Sequence, residues 1–282
     1  MKKGIVMEGG GMRGIFVAGV LDVLMENNIE FDGSVGVSAG ACFGCNFKSK
    51  QIGRAVRTTA THCVKREYCS LYSLITTGDM FGAKYCYHEI PEVYDIFDHE
   101  TYEANPHEFY IVCTDANTGE AVYKKCDKSG YETFEWIRAS ASLPLVSRTV
   151  KLDGKEYLDG GIVDSIPLKF FQGIGYNKNL VIVTQPEGYH KTKNSSMWLI
   201  KLLVRKYPRI IEAMSRRHIM YNETVDYIKS QEEKGEVFVI RPKETLPVGR
   251  IEKNPNKIIE TYNIGRQVME ERISQLKEYL EI

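Results

Sequence analysis

Short apolar runs of strand length alternate with longer stretches of helical period along this chain. Residues 4–7 (Gly-Ile-Val-Met), 31–37, 109–114 (Phe-Tyr-Ile-Val-Cys-Thr), 180–184 (Leu-Val-Ile-Val-Thr) and 236–241 (Glu-Val-Phe-Val-Ile-Arg) read as strands. Between them, Ile15, Val17, Ala18, Val20, Leu21, Val23 and Leu24 recur at helical spacing. Helices are also predicted over 39–46, 51–65 and 132–142, the last stopping near Pro144, and another starts at Ser165-Ile166-Pro167. Two hairpins are expected. One turns at Asn117-Thr118-Gly119 before a strand at 121–124, and the other joins 150–152 to 156–158 through Asp153-Gly154. A long amphipathic helix over 256–280 carries Ile259, Tyr262, Val268, Met269, Ile273, Leu276 and Leu280 near one face. Strands alternating with helices up to about residue 185 predict an α/β layered domain with a largely parallel sheet.

Three glycine-rich stretches punctuate this pattern. Gly36-Val37-Ser38-Ala39-Gly40 follows a strand and precedes a helix. That is the context of a nucleophile elbow, a sharp turn that lifts a serine hydroxyl clear of the backbone, with Gly36 and Gly40 relieving the crowding. Gly9-Gly10-Gly11-Met12-Arg13-Gly14 lies between the first strand and the first helix. Its free amides at a helix N-terminus suit an oxyanion. The same run satisfies Gly-x-Gly-x-x-Gly, so a dinucleotide-binding oxidoreductase is the rival reading. Against that rival, the chain about 20 residues on leads straight into the elbow rather than into a strand ending in an acid. The third stretch, Asp159-Gly160-Gly161, can hold a carboxylate on backbone amides in a tight loop, or be an ordinary turn.

A serine hydroxyl needs a base. In the order serine, acid, histidine, only His190 and His218 follow Asp159, and neither sits in a constrained loop. The alternative is a dyad in which Asp159 serves Ser38 directly, its proton affinity raised by burial. Residues 139–144 (Ala-Ser-Ala-Ser-Leu-Pro) are small enough to pack against a neighbouring helix or the elbow. Residues 68–83, rich in aromatics, Gly and Thr, read as a surface connection or as a segment flanking a substrate pocket.

Composition narrows the function classes. The chain has 282 residues, 37 basic and 37 acidic, so no global field recruits nucleic acid. Seven cysteines, an odd number, suggest free thiols in a reducing compartment. Cys42-x-x-Cys45 has no second Cys or His pair at zinc spacing, and small-residue helix packing is the simpler account. The apolar run after Met1 is too short for a signal peptide, and no window is long enough to span a bilayer. Residues 191–217, from Lys191 to Arg217, carry eight Lys or Arg against the single acid Glu212, interleaved with Trp198, Leu199, Ile200, Leu202, Leu203 and Val204. This pattern fits either peripheral contact with an anionic membrane or a docked surface helix. The expected location is the cytoplasm, with that contact at the inner face of the membrane.

Taken together, the three motifs and the block at 139–144 resemble the patatin-like phospholipases over residues 4–186. The resemblance implies a three-layer α/β/α fold with a mostly parallel central sheet, a Ser38–Asp159 dyad and an oxyanion hole at Gly9, Gly10, Gly11, Met12, Arg13 and Gly14. It implies no metal, no cofactor, and hydrolysis of phospholipid or lysophospholipid acyl esters through an acyl-serine. A non-catalytic lipid-binding module of the same fold is the alternative. Residues 1–186 are expected to form the catalytic core, and 187–282 a mostly helical region with one strand packed on it.

Overall fold

The computed structural model describes all residues from Met1 to Ile282. In chain order it contains β1 (Lys2–Met7), α1 (Ile15–Glu26), β2 (Gly33–Val37), α2 (Ala39–Lys48), α3 (Arg54–His62), α4 (Leu71–Thr77), α5 (His99–Ala104), β3 (Glu108–Asp115) and β4 (Ala121–Lys125). These are followed by α6 (Tyr131–Ser140), β5 (Val150–Leu152), β6 (Lys155–Asp159), α7 (Leu168–Gly173), β7 (Tyr176–Ile182), α8 (Met197–Leu203), α9 (Pro208–Glu233), β8 (Val237–Ile240) and α10 (Pro255–Leu280). A π-helical stretch, Tyr85–Tyr94, contains Pro91, which cannot donate a backbone hydrogen bond.

All eight strands belong to one sheet in the order β5-β6-β3-β2-β1-β7-β8, with β4 also paired to β3. The five strands β3, β2, β1, β7 and β8 are mutually parallel. The β4 and β5–β6 additions are antiparallel, as their hairpin turns require.

Alternation along each strand divides the core into two layers. Ile5, Met7, Ile111, Leu180 and Ile182 pack with α1, α2, α6 and α10. Val6, Val35, Val37, Val112 and Val181 pack with α7 and α9 on the opposite face. Successive strand residues point to opposite faces, so near-continuous apolar runs can bury both sides. The result is an α/β layered domain with a largely parallel sheet, as the pattern predicts, in the three-layer α/β/α form that the resemblance implies. The segment at 68–83, read as a surface connection or a segment flanking a pocket, contains α4, capped by the Ser70 hydroxyl on the Ser73 amide.

The chain beyond residue 186 is continuous with this architecture. β8 extends the sheet beside β7, and α10 lies along α1. At their crossing Gly19 faces the Tyr262 carbonyl and Gly265 faces Phe16, leaving no room for side chains at either position.

Candidate functional site

β2 ends at Val37, and Ser38 follows with φ 54° and ψ −119°. That conformation is strained for any residue with a Cβ, and its hydroxyl is projected out of the strand-to-helix turn. The turn is tight enough to dictate its neighbours. A Cβ on Gly36 would lie 2.6 Å from Gly40 backbone atoms, and one on Gly40 would lie 2.6 Å from the Met7 carbonyl oxygen. The Ser38 carbonyl starts α2, accepting from Ala41 and Cys42 at 3.0 Å.

The sheet register brings Asp159 to this turn. Val37 pairs with Val112 on β3, and Asp159 pairs with the next β3 residue, Cys113. β4 occupies the other edge of β3 at both positions, so β6 takes over the edge that β2 vacates when the chain turns at Ser38. Two residues 121 positions apart thereby meet at the point where one strand gives way to another.

Asp159 is 2% exposed. Its Oδ1 accepts from the Gly161 amide at 2.7 Å, and its backbone is held by Thr114 Oγ1 and by the Ser142 carbonyl at 2.8 Å each. Burial raises the carboxyl's proton affinity. The Arg217 guanidinium, the Ser38 hydroxyl, the Gly161 amide and Arg250 pull against burial without cancelling it. The Ser38 hydroxyl is thus near enough to act on the carboxylate, although the two form no tight hydrogen bond in this resting geometry.

The loop before α1 contributes unequally. Gly9 donates a long 3.4 Å bond to the Ser165 carbonyl, and Met12 donates to the Arg250 carbonyl at 3.1 Å. Gly11 to Gly14 form a 3-10 turn in which Gly14 packs against Ala39. The Gly10 and Gly11 amides, and the Ala39 amide beyond Ser38, carry no backbone partner. Among the six positions expected to hold an oxyanion, Met12 donates its amide to the Arg250 carbonyl. The Ala39 amide, which the sequence reading did not include, is free because it opens the helix after the elbow. Arg13 points its side chain to the same cavity, with Nε buried and unpartnered.

Ser38, Asp159 and the loop open on one cavity of about 610 Å3. Part of its wall is apolar, including Cys42, Phe43, Tyr68, Ile90, Phe134 and Ile137. Residues 68–83 therefore do reach the pocket, through Tyr68, Met80 and Phe81. Burial pushes the Cys42 and Cys45 thiols up to about 12 and about 11, so neither is poised for thiolate chemistry. No group of three His, Cys, Asp or Glu side chains is placed to hold a metal ion.

The two candidate histidines differ in position. His190 faces Asp226 at 3.8 Å on the exposed surface. His218 lines the cavity but bonds neither Ser38 nor Asp159. β2 ends at Val37 and is followed by Ser38 rather than by the acidic residue that a dinucleotide's ribose needs. The basic stretch is divided: Lys191 and Arg217 line the cavity, whereas Lys201 and Arg205 face solvent with Trp198. No helix is long and apolar enough to cross a membrane.

The chain is similar to several known proteins. The uncharacterized protein YjjU of Escherichia coli is 28% identical over 276 residues, covering 93% of this chain and 74% of that protein. Lysophospholipase nte1 of Aspergillus niger is 27% identical over 183 residues, covering 61% of this chain but only 11% of that protein. A patatin-like phospholipase domain-containing protein of Caenorhabditis elegans, ZK370.4, is 28% identical over 183 residues, 61% of this chain and 13% of that one. The solved structure of VipD from Legionella pneumophila aligns with a TM-score of 0.48 at 12% identity, over 97% of this chain and 67% of that one. Residues 207–281 match a domain of unknown function, DUF6363. Residues 5–171, well over half of the chain, match the family described as patatin-like phospholipase, and the chain belongs to that family.

Proposed function

We propose that this protein hydrolyses lipid acyl esters by a Ser38–Asp159 dyad. Family membership supports a lipid hydrolase. The observation that carries the finer reading is the hand-over on β3, which sets a strained serine beside a buried carboxylate of raised proton affinity. Ser38 Oγ attacks the ester carbonyl carbon while its proton passes to the Asp159 carboxylate. The resulting oxyanion is met by the Gly10, Gly11 and Ala39 amides. Collapse breaks the ester C–O bond, and the leaving alkoxide takes the proton from Asp159. Water then attacks the acyl-Ser38, giving its proton to Asp159, and the fatty acid leaves as Ser38 regains a proton. Phospholipid or lysophospholipid esters are the substrate class that the cavity's joint apolar and cationic walls favour. The domain reading follows: residues 1–186 hold the reacting groups, and 187–282 complete the sheet and the cavity wall.

Labelling by a fluorophosphonate probe tests nucleophile activation. Labelling of the wild type that disappears in Ser38→Ala is expected. Labelling that survives would place the nucleophile elsewhere, and no labelling with no ester turnover would leave a lipid-binding module of the same fold.

A further inference from the structure

Four cations from separate parts of the chain converge on the cavity beside Ser38, and none has a salt-bridge partner; Lys193, also unpaired, lines it at an exposed position. Arg13 comes from the loop before α1, Lys191 from the segment after β7, Arg217 from α9, and Arg250 from the segment before α10. Each is tied down. Arg217 Nε donates to the Gly161 carbonyl, two residues past Asp159. The Arg250 carbonyl accepts from the Met12 amide at 3.1 Å. Lys191 is clamped at its backbone by Asn222, at 2.8 and 3.1 Å, and its ammonium sits 3.6 Å over the Tyr221 ring. Arg13 Nε is buried with nothing to donate to.

Two carboxylates act on this cluster, and both have other partners. Glu8 accepts from the Thr184 amide, the Thr184 hydroxyl and the Tyr221 hydroxyl at 2.6, 3.1 and 2.7 Å. Asp159 is held by Gly161. These cations outnumber the two carboxylates and leave an excess of positive charge along the wall. Like charges in such a place repel unless an anion joins them. The Lys191 ammonium registers that repulsion: burial first, then Arg217, and also Arg250 and Arg13, bring it down to about 7 against the pull of Glu8.

We propose that Arg13, Lys191, Arg217 and Arg250 form a subsite for the phosphate of a net-anionic lipid head group. The proposal rests on the reading of Ser38 as the group that cleaves the acyl ester. A phosphate monoester carries a charge of about −1.5 to −2 at neutral pH and three acceptor oxygens, which suits a wall with an excess of positive charge. A choline or ethanolamine head group brings its own cation into the same wall and forfeits that match. Lys191, Arg217 and Arg250 lie outside the matched residues 5–171. The subsite is thus built largely by the C-terminal region closing over the glycine loop, which gives that region a role in substrate choice.

Binding to Ser38→Ala separates this proposal from the chemistry, because it needs no turnover. Calorimetry would compare four ligands below micelle formation: hexanoyl lysophosphatidic acid, hexanoyl lysophosphatidylcholine, monohexanoyl glycerol and inorganic phosphate. The expected result is at least tenfold tighter binding of the lysophosphatidic acid than of the other three. Lys191→Met, which keeps the packing on Tyr221, and Arg250→Ala, at an exposed position, should together bring its preference over the choline ester below threefold. Equal affinities, no binding of any ligand, or a preference that survives both substitutions overturns the subsite. Phosphate alone binding as tightly as the lipid makes it a free-anion site and overturns the head-group assignment. Head-group preference in Ser38→Ala with no turnover by wild type removes the hydrolase and leaves the subsite. Turnover without head-group preference does the reverse.

Discussion

The Ser38 amide donates a hydrogen bond of 2.8 Å to the hydroxyl of Ser140, a residue at the end of α6. Ser140 in turn donates to the Val112 carbonyl at 2.6 Å, fixing its own rotamer on β3. The strained turn is therefore braced from outside by a side chain that faces no substrate. Two residues on, the Ser142 carbonyl accepts from the Asp159 amide. One short segment holds both halves of the proposed dyad. Ser140→Ala should leave the fold intact and lower kcat on a soluble ester by about 10–100-fold, the range expected for a misplaced reacting group, with KM little changed. Ser140→Thr, which keeps the hydroxyl, should recover most of that loss. An alanine variant with wild-type kcat would remove the bracing role.

Asp159 makes activity and stability respond to pH in opposite directions. Its proton affinity is raised, chiefly by burial, so it loses its proton at higher pH in the folded chain than in the unfolded one. Activity needs the carboxylate as base, so kcat/KM should fall on the acid side through a pKa above the ordinary aspartate range. Stability runs the other way. Above the unfolded chain's pKa the native state binds more protons than the unfolded state, so this group's contribution weakens as pH rises through the folded pKa. Asp159→Asn removes the buried charge. It should abolish turnover and leave Tm at pH 7 the same or roughly 1–3 °C higher, given a shift of about 2–4 °C per kcal/mol for a chain of this size class. A drop of several degrees would mean that the pull of Arg217 and Arg250 outweighs burial.

The glycine motifs and the strand-helix rhythm were legible because local geometry alone demands them. Gly36 and Gly40 cannot carry a Cβ whatever surrounds the elbow, and Asp159-Gly160-Gly161 announces a carboxylate on an amide. Other parts of the site depend on register and packing, which a linear reading does not contain. The small size of residues 139–144 indicated close approach, but not that Ser140 and Ser142 hydrogen-bond to the two site residues. Met12 looked like a free amide because its partner, Arg250, lies 238 positions later. The basic stretch looked uniform, yet Asn222 and Tyr221 draw Lys191 inward, and α9 turns Arg217 towards Gly161.

The apolar wall should set acyl length. Cys42 follows Ser38 by one helical turn, its amide bonded to the Ser38 carbonyl, and its side chain lines the cavity. Cys42→Phe would fill part of that space. Turnover of p-nitrophenyl laurate should fall at least tenfold relative to the butyrate, whose short chain stops before the obstruction. An equal loss on both esters would place the chain along another wall. Because burial keeps the Cys42 thiol protonated at neutral pH, iodoacetamide should leave wild-type activity unchanged over minutes.

Two helices next to the cavity expose apolar side chains. In α8, Met197 and Ile200 dock the helix, while Trp198 is 68% exposed and Leu202 and Leu203 also face solvent. In α4, Leu71 and Ile75 do the same, Ile75 at 82%. Residues flanking both helices line the cavity. An amphipathic segment with a Trp and nearby Lys or Arg is suited to the head-group boundary of a bilayer. Lys206 and Arg209 are already paired with Glu156 and Glu212, so of the exposed cations in the basic stretch Lys193, Lys201, Arg205 and Arg216 remain unpaired. Burial of apolar surface should therefore dominate. Trp198→Ser with Leu203→Ser should cut co-sedimentation with phosphatidylglycerol vesicles at least tenfold and leave hydrolysis of a soluble butyrate ester within twofold. Raising the salt to 0.5 M should weaken wild-type binding only in part, since screening acts on the charges and not on the apolar contact. Vesicle binding that is unaffected by the double substitution, or abolished by salt alone, would put the contact on a different face.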